Sequence, residues 1–272
     1  MPVHVIALIA VALVPAVSAQ SNPQPAAERQ QIGAIVAKIQ LADYESDRPA
    51  LARLREELTP FLEEPVRVSS RVQYWRGFAL WRRAMNGVNA AVDPAELKRD
   101  LVQAMDDFSD ALVRDPSFVD AKTGKASCLA ILANTNFRAQ QPESRDQIVE
   151  AVRLANEAAA AAPENPRALW VQGSNQWATP AQLGGAGQEV ARATFARALT
   201  FARQQRRRTT DPLEPAWGEP ELLMTFAFIS LNGVPPDAAA AERYAREALS
   251  LVPTWHYLRD ILMPQIQKAK AP

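Results

Sequence analysis

From residue 27 onward, apolar positions recur at three- and four-residue intervals with polar residues between them, the period of a helix with one buried face. The pattern predicts helices near 27–43, 48–63, 68–90, 94–114, 117–135, 143–162, 166–178, 187–206, 219–232, 237–251 and 255–269. Their punctuation is specific. Asp93, Pro94 and Glu96 combine an N-cap, a first-turn proline and a capping-box acid, and Asn165-Pro166 repeats the first two. Asn232-Gly233 followed by Pro235-Pro236 stops one helix and resets the chain for the next. The short connections imply antiparallel pairs. Only Thr209 to Gly218 (TTDPLEPAWG), with two prolines and no period, reads as a substantial loop in the second half.

The first residues follow another pattern. Val3 to Val14 is an apolar run too short to span a bilayer, and Val17, Ser18 and Ala19 supply the small residues that signal peptidase accepts. The expected organisation is a signal peptide over 1–19, a flexible leader over 20–27 and one helical domain over 28–272, in a periplasmic or secreted protein. No Lys or Arg precedes Arg29, so a misassigned start codon and an uncleaved anchor are the alternatives. No later stretch is apolar enough to span a membrane, and stable membrane insertion is not expected after cleavage.

Self-comparison brings out a repeat. Ala104, Phe108, Ala111 and Pro116 are matched in spacing by Ala151, Ala155, Ala158 and Pro163, and again by Ala241, Ala245, Ala248 and Pro253. Ala191, Phe195 and Ala198 keep the first three positions. Residues at i, i+4 and i+7 share a helix face, and alanine there admits a close neighbour, so Ala111, Ala158 and Ala248 are expected at buried helix contacts. This spacing resembles the second helix of the tetratricopeptide repeat, and Gly77 and Gly173 fall where that family has a helix-packing glycine in the first. Ala126 stands at the equivalent place in the middle copy. The resemblance covers roughly residues 70–253. It implies an all-α array of antiparallel helix pairs forming an α-α superhelix, with about four divergent repeats, N-terminal helices and a C-terminal capping helix. Thr179 to Gly185, ahead of Ala191 and Phe195, also resembles a glycine-pair segment of exported bacterial tetratricopeptide-like proteins, among them the T-component of tripartite periplasmic transporters. That glycine pair suits either a tight turn or backbone capture of an anion.

Composition narrows the chemistry. Hydrophobic residues make up 48% of the chain, enough for a packed core, and thirty basic residues balance thirty acidic ones. Nucleic acid is therefore not an expected partner; Arg206, Arg207 and Arg208 read as a solvated helix end. Cys128, the only cysteine, lies on an apolar face and reads as an inert core thiol. Apart from His4 in the leading segment, His256 is the only histidine, so no catalytic triad, metal site or cofactor motif is assigned and a non-catalytic protein is expected.

The tetratricopeptide resemblance places binding on the concave face, lined by the first helix of each repeat. Carried over by the Gly77 register, its positions are Arg71, Tyr74, Phe78, Trp81 and Arg82; the Gly173 register gives Arg167, Trp170, Ser174 and Trp177. Asp120, Thr123 and Ser127 are the middle set. Tyr74 to Trp81 and Trp170 to Trp177 are both seven residues apart, two turns of one stripe. Aromatics beside arginines suit recognition of a protein or peptide partner. The same aromatics also suit the core of a tightly closed array, which leaves room for a small-molecule ligand or none. The leading expectation is a scaffold for a protein or peptide partner, and the alternative is an accessory protein with an internal ligand pocket.

Overall fold

The computed structural model describes residues 23–208 and 211–270, and the signal segment over 1–19 lies outside the described residues. No strand occurs among them. The eleven α-helices are α1 (Pro23–Tyr44), α2 (Arg48–Glu57), α3 (Val66–Asn89), α4 (Pro94–Arg114), α5 (Val119–Arg138), α6 (Ser144–Ala161), α7 (Pro166–Ala178), α8 (Gln188–Arg206), α9 (Glu219–Asn232), α10 (Ala238–Leu251) and α11 (Met263–Lys270). None is long and apolar enough to cross a membrane.

Helix starts follow the caps. The side chains of Asp47, Asp93, Asn165 and Asp237 each accept from a backbone N–H in the first turn that follows. Glu96 does not close the expected capping box; it takes Arg48 at 2.7 Å and Arg83 at 2.6 Å, because two guanidinium partners outcompete one backbone N–H. Other differences lie at prolines. The helix read over 48–63 ends at Glu57 and continues as a 3-10 turn, Thr59–Glu63, since Pro60 has no N–H for the α ladder. The last helix opens as a π-helical stretch, Tyr257–Leu262, before Pro264, which cannot donate to the carbonyl four residues back. At the other end, α1 begins at Pro23, inside the stretch read as a leader; a proline is tolerated in the first turn, where its N–H would be unpaired anyway.

Packing is most extensive between consecutive helices: α3 with α4, α5 with α6, α7 with α8 and α9 with α10. The repeated small residues sit in these contacts, and Ala111, Ala158 and Ala248 are fully buried. Close approach needs glycine where a large partner points in. The Phe108 ring of α4 lies against Gly77 of α3 and Gly124 of α5, and the Phe195 ring of α8 lies against Gly173 of α7; a Cβ at Gly124 would stand 2.4 Å from Phe108.

A second set of contacts joins α1 to α3, α3 to α5 and α5 to α7. These helices form an inner layer. Accordingly α3 is buried on nearly every side through its middle turns, while α4 and α10 bury one face. The chain also closes on itself. Tyr44 at the end of α1 packs edge-on against Trp255, with ring centroids 5.0 Å apart, and donates to Glu221 of α9 at 2.6 Å.

Candidate functional site

Of the nine residues read as an inner binding stripe, most are buried in one cluster. Tyr74, Phe78 and Trp81 run along α3, and Trp81 meets Trp170 of α7 with ring centroids 6.2 Å apart. Their interior is filled by residues 211–218, the loop between α8 and α9. Trp217 lies against Phe78, Trp81 and Trp170 at 5.4 to 5.8 Å and donates from Nε1 to the Tyr74 hydroxyl at 2.9 Å. Leu213 is buried, and its carbonyl accepts from Trp75 Nε1 at 2.8 Å. The segment read as a substantial loop is thus also a piece of core, because two large apolar side chains anchor it and the inner helices supply donors for its backbone.

The remaining stripe residues differ. Arg71 bridges Glu214 of the inserted segment at 3.1 Å and Asp115 at 2.5 Å, with its guanidinium 3.8 Å from the Phe118 ring centroid. Ser174 is half-buried and donates to the Trp170 carbonyl within its own helix. Trp177 lies outside the cluster, half-buried beside Arg192, because α7 ends one residue later and carries it past the inserted segment. In the middle set, Asp120 and Thr123 are buried, and Asp120 holds Arg167.

Arg167 is only 1% exposed, and its nitrogens are occupied. Nε and Nη2 reach the two oxygens of Asp120 at 2.5 and 3.3 Å, and Nη1 donates to Gln205 at 2.8 Å and to the Trp217 carbonyl at 2.9 Å. Burial works against its charge, and the Asp120 carboxylate more than restores it, so the pKa is raised.

Arg82, 6% exposed, is placed differently. Its Nε donates to Asp43 of α1 at 2.7 Å, and among the described residues Nη1 and Nη2 make no hydrogen bond to the protein. The guanidinium lines a cavity of about 160 Å³ bounded by Asn86 of α3, Trp170, Met224 of α9, and Trp255 and Tyr257 ahead of α11. Asn86 Nδ2 is committed to Asp43, at 3.0 Å to its carbonyl and 3.1 Å to its carboxylate. Burial opposes the Arg82 charge, yet Asp43 holds the pKa above its usual value. Close by, burial pushes the Glu221 carboxyl up, against the Tyr44 hydrogen bond and the Arg82 charge; its Oε2 is buried with no hydrogen-bond partner among the described residues.

Sequence reasoning placed Arg82 and Trp170 in one inner stripe but missed Asn86, Met224, Trp255 and Tyr257, which come from other registers and from the chain end. A larger groove of about 320 Å³ lies among Val88, Leu97, Leu101, Ile131 and Leu132, and it is walled chiefly by aliphatic side chains without a buried charged group. The glycine pair forms a turn: Gly184 has φ +95°, and a Cβ on Gly185 would collide with the Thr179 carbonyl. Cys128 is fully buried, which pushes its thiol pKa up. Among the described residues no three His, Cys, Asp or Glu side chains converge as metal ligands. No protein-family model matches the chain, and no curated protein matches its sequence.

Proposed function

We propose that this chain is a non-catalytic, exported protein of tetratricopeptide-like architecture that holds a small ligand in the cavity beside Arg82. The architectural part is supported by the recurrence of one packing unit, in which Phe108 and Phe195 of second helices fill the space over Gly77 and Gly173 of first helices. The ligand part is carried by one observation: an arginine that is 6% exposed, with two nitrogens uncommitted to the protein, lines a cavity walled by Trp170, Trp255 and Tyr257. A ligand-observed NMR fragment screen tests it, run on the protein and on Met224→Trp, which fills the cavity. Fragments that bind the first and not the second are expected. Fragments indifferent to the substitution, or none at all, would overturn the reading.

A protein or peptide partner is the second reading, and it too has an observation behind it. The inner face already holds a non-helical segment, residues 211–218, through Arg71, Arg167, Trp75 and an aromatic cage. A partner would have to displace that segment from Arg71, Tyr74, Phe78, Trp81 and Arg167. Affinity of a peptide spanning Asp211 to Gly218 for a variant with that stretch replaced by a Gly-Ser linker would favour it. For export, N-terminal sequencing of protein recovered from periplasm or medium is expected to begin at Gln20, and a chain that keeps Met1 would contradict it.

A further inference from the structure

We propose that the cavity beside Arg82 is a carboxylate site, and that its ligand is a small organic acid whose body is about one ring in size. The inference rests on the proposed ligand-binding reading and goes on to name the chemistry.

The guanidinium has two hydrogen-bonding edges, and the edge through Nε is used by Asp43 at 2.7 Å. The other, between Nη1 and Nη2, is the edge that meets both oxygens of a carboxylate in two parallel bonds. All three nitrogens of Arg167, another buried arginine of the interior, have a protein acceptor. The Arg82 edge has none among the described residues, although its side chain is only 7% exposed. The free edge therefore meets the solvent that enters the cavity, and a bound acceptor would take the place of that water with two charge-assisted hydrogen bonds.

The surroundings favour an acceptor. Among the described residues neither Trp255 Nε1 nor the Tyr257 hydroxyl has a hydrogen-bond partner, and both side chains line the cavity, so donors outnumber acceptors there. Asn86 and Asn89 supply its side-chain amide acceptors, and Asn86 spends its own donor on Asp43. The charges around Arg82 come from α1 and α9: Asp43 is its salt-bridge partner, and Glu221 is pushed toward its neutral form by burial and so competes less for the guanidinium.

The walls set the body. Trp170, Trp255 and Tyr257 supply flat apolar faces, and Met85 and Met224 supply adaptable ones. The cavity measures about 160 Å³. An apolar cavity of about 150 Å³ accommodates a benzene ring. A carboxylate on a single ring matches both the donor edge and the space.

The test uses matched pairs on the full mature chain: benzoate, phenylacetate and 3-phenylpropionate, each against its carboxamide, titrated by isothermal calorimetry with saturation-transfer NMR as a second readout. At least one carboxylate should bind about tenfold or more tighter than its carboxamide, the difference expected when a charge-assisted pair replaces a neutral hydrogen bond. Arg82→Lys keeps a cation for Asp43 but loses the planar fork, and it should erase that preference while circular dichroism and melting stay near wild type. Should Arg82→Lys unfold, Met224→Trp is expected to abolish binding without touching the ion pair. Carboxamides binding as well as carboxylates, with Met224→Trp still blocking both, would overturn the carboxylate assignment and leave a ligand cavity in place. Binding of none of the six compounds, together with a failed fragment screen, would overturn both.

Discussion

Arg167 and Arg82 flank the same aromatic cluster, one with its guanidinium 5.7 Å from the Trp217 ring centroid and the other 5.7 Å from that of Trp81. Both are buried and both have an aspartate from a neighbouring inner helix. At Arg167 the chain has supplied an acceptor to each of the three nitrogens, including a backbone carbonyl carried in by residues 211–218. At Arg82 it has supplied one, and the rest of the guanidinium faces a cavity. The first arrangement is what a structural ion pair requires, since a buried charge is tolerated only when its hydrogen bonds are complete. The second departs from that requirement at one place, and such a departure marks a candidate site.

The largest effect is expected at Trp217. Trp217→Ala empties the centre of the cluster and leaves the Tyr74 hydroxyl without its donor, with an expected loss toward the upper end of about 3–5 kcal/mol in urea unfolding. A loss under about 1 kcal/mol would mean that residues 211–218 do not fill the interior in solution. Next come the arginines themselves. Arg167→Met strands Asp120 in the core and should cost about 3–5 kcal/mol. Arg82→Met should cost less, about 2 kcal/mol, since Asp43 keeps its Asn86 contact and the cavity admits water. Equal losses at the two positions would erase the distinction between a finished and an unfinished site.

The smallest effect is one of pH. Burial raises the Glu221 pKa in the folded state above the unfolded carboxyl value of about 4.3. The native state then holds the proton more tightly, so stability falls as pH rises from that value through the folded one, by up to about 1.4 kcal/mol per pH unit. Glu221→Gln cannot ionise and keeps an acceptor for Tyr44. Its melting temperature relative to wild type should therefore improve between pH 4 and pH 8, and a constant difference would show that Glu221 titrates as an exposed carboxyl does.

What the sequence made legible was local. The caps at Asp93 and Asn165, and the Ala104, Phe108, Ala111 spacing with its copies, each involve residues within a turn or two, and the helices and their buried faces follow from them. The fate of residues 211–218 was not legible in that way. Two prolines remove any period, and the contacts that make Leu213 and Trp217 core come from residues such as Trp75 and Tyr74, 138 and 143 positions away. Their signal was weak but present: two large apolar side chains four residues apart in a stretch otherwise suited to solvent. Spacing also placed Trp170 and Trp177 on one stripe, and only the end of α7 separates them. Arg82 and Arg167 looked alike for the same reason. Both lie on inner faces beside tryptophan, and whether the last hydrogen bonds are made depends on which distant segment arrives.

Chemical labelling separates the two arginines in the native protein. Phenylglyoxal condenses with the terminal nitrogens of a guanidinium and is itself a single ring with carbonyl oxygens, so it probes both the free edge and the size of the cavity. After brief treatment of the native protein and peptide mapping by mass spectrometry, Arg82 should carry the label and be protected by a carboxylate that binds the cavity, while Arg167 becomes labelled only when the protein is unfolded. Labelling of Arg167 in the native state, or an Arg82 as inert as Arg167, would contradict the account.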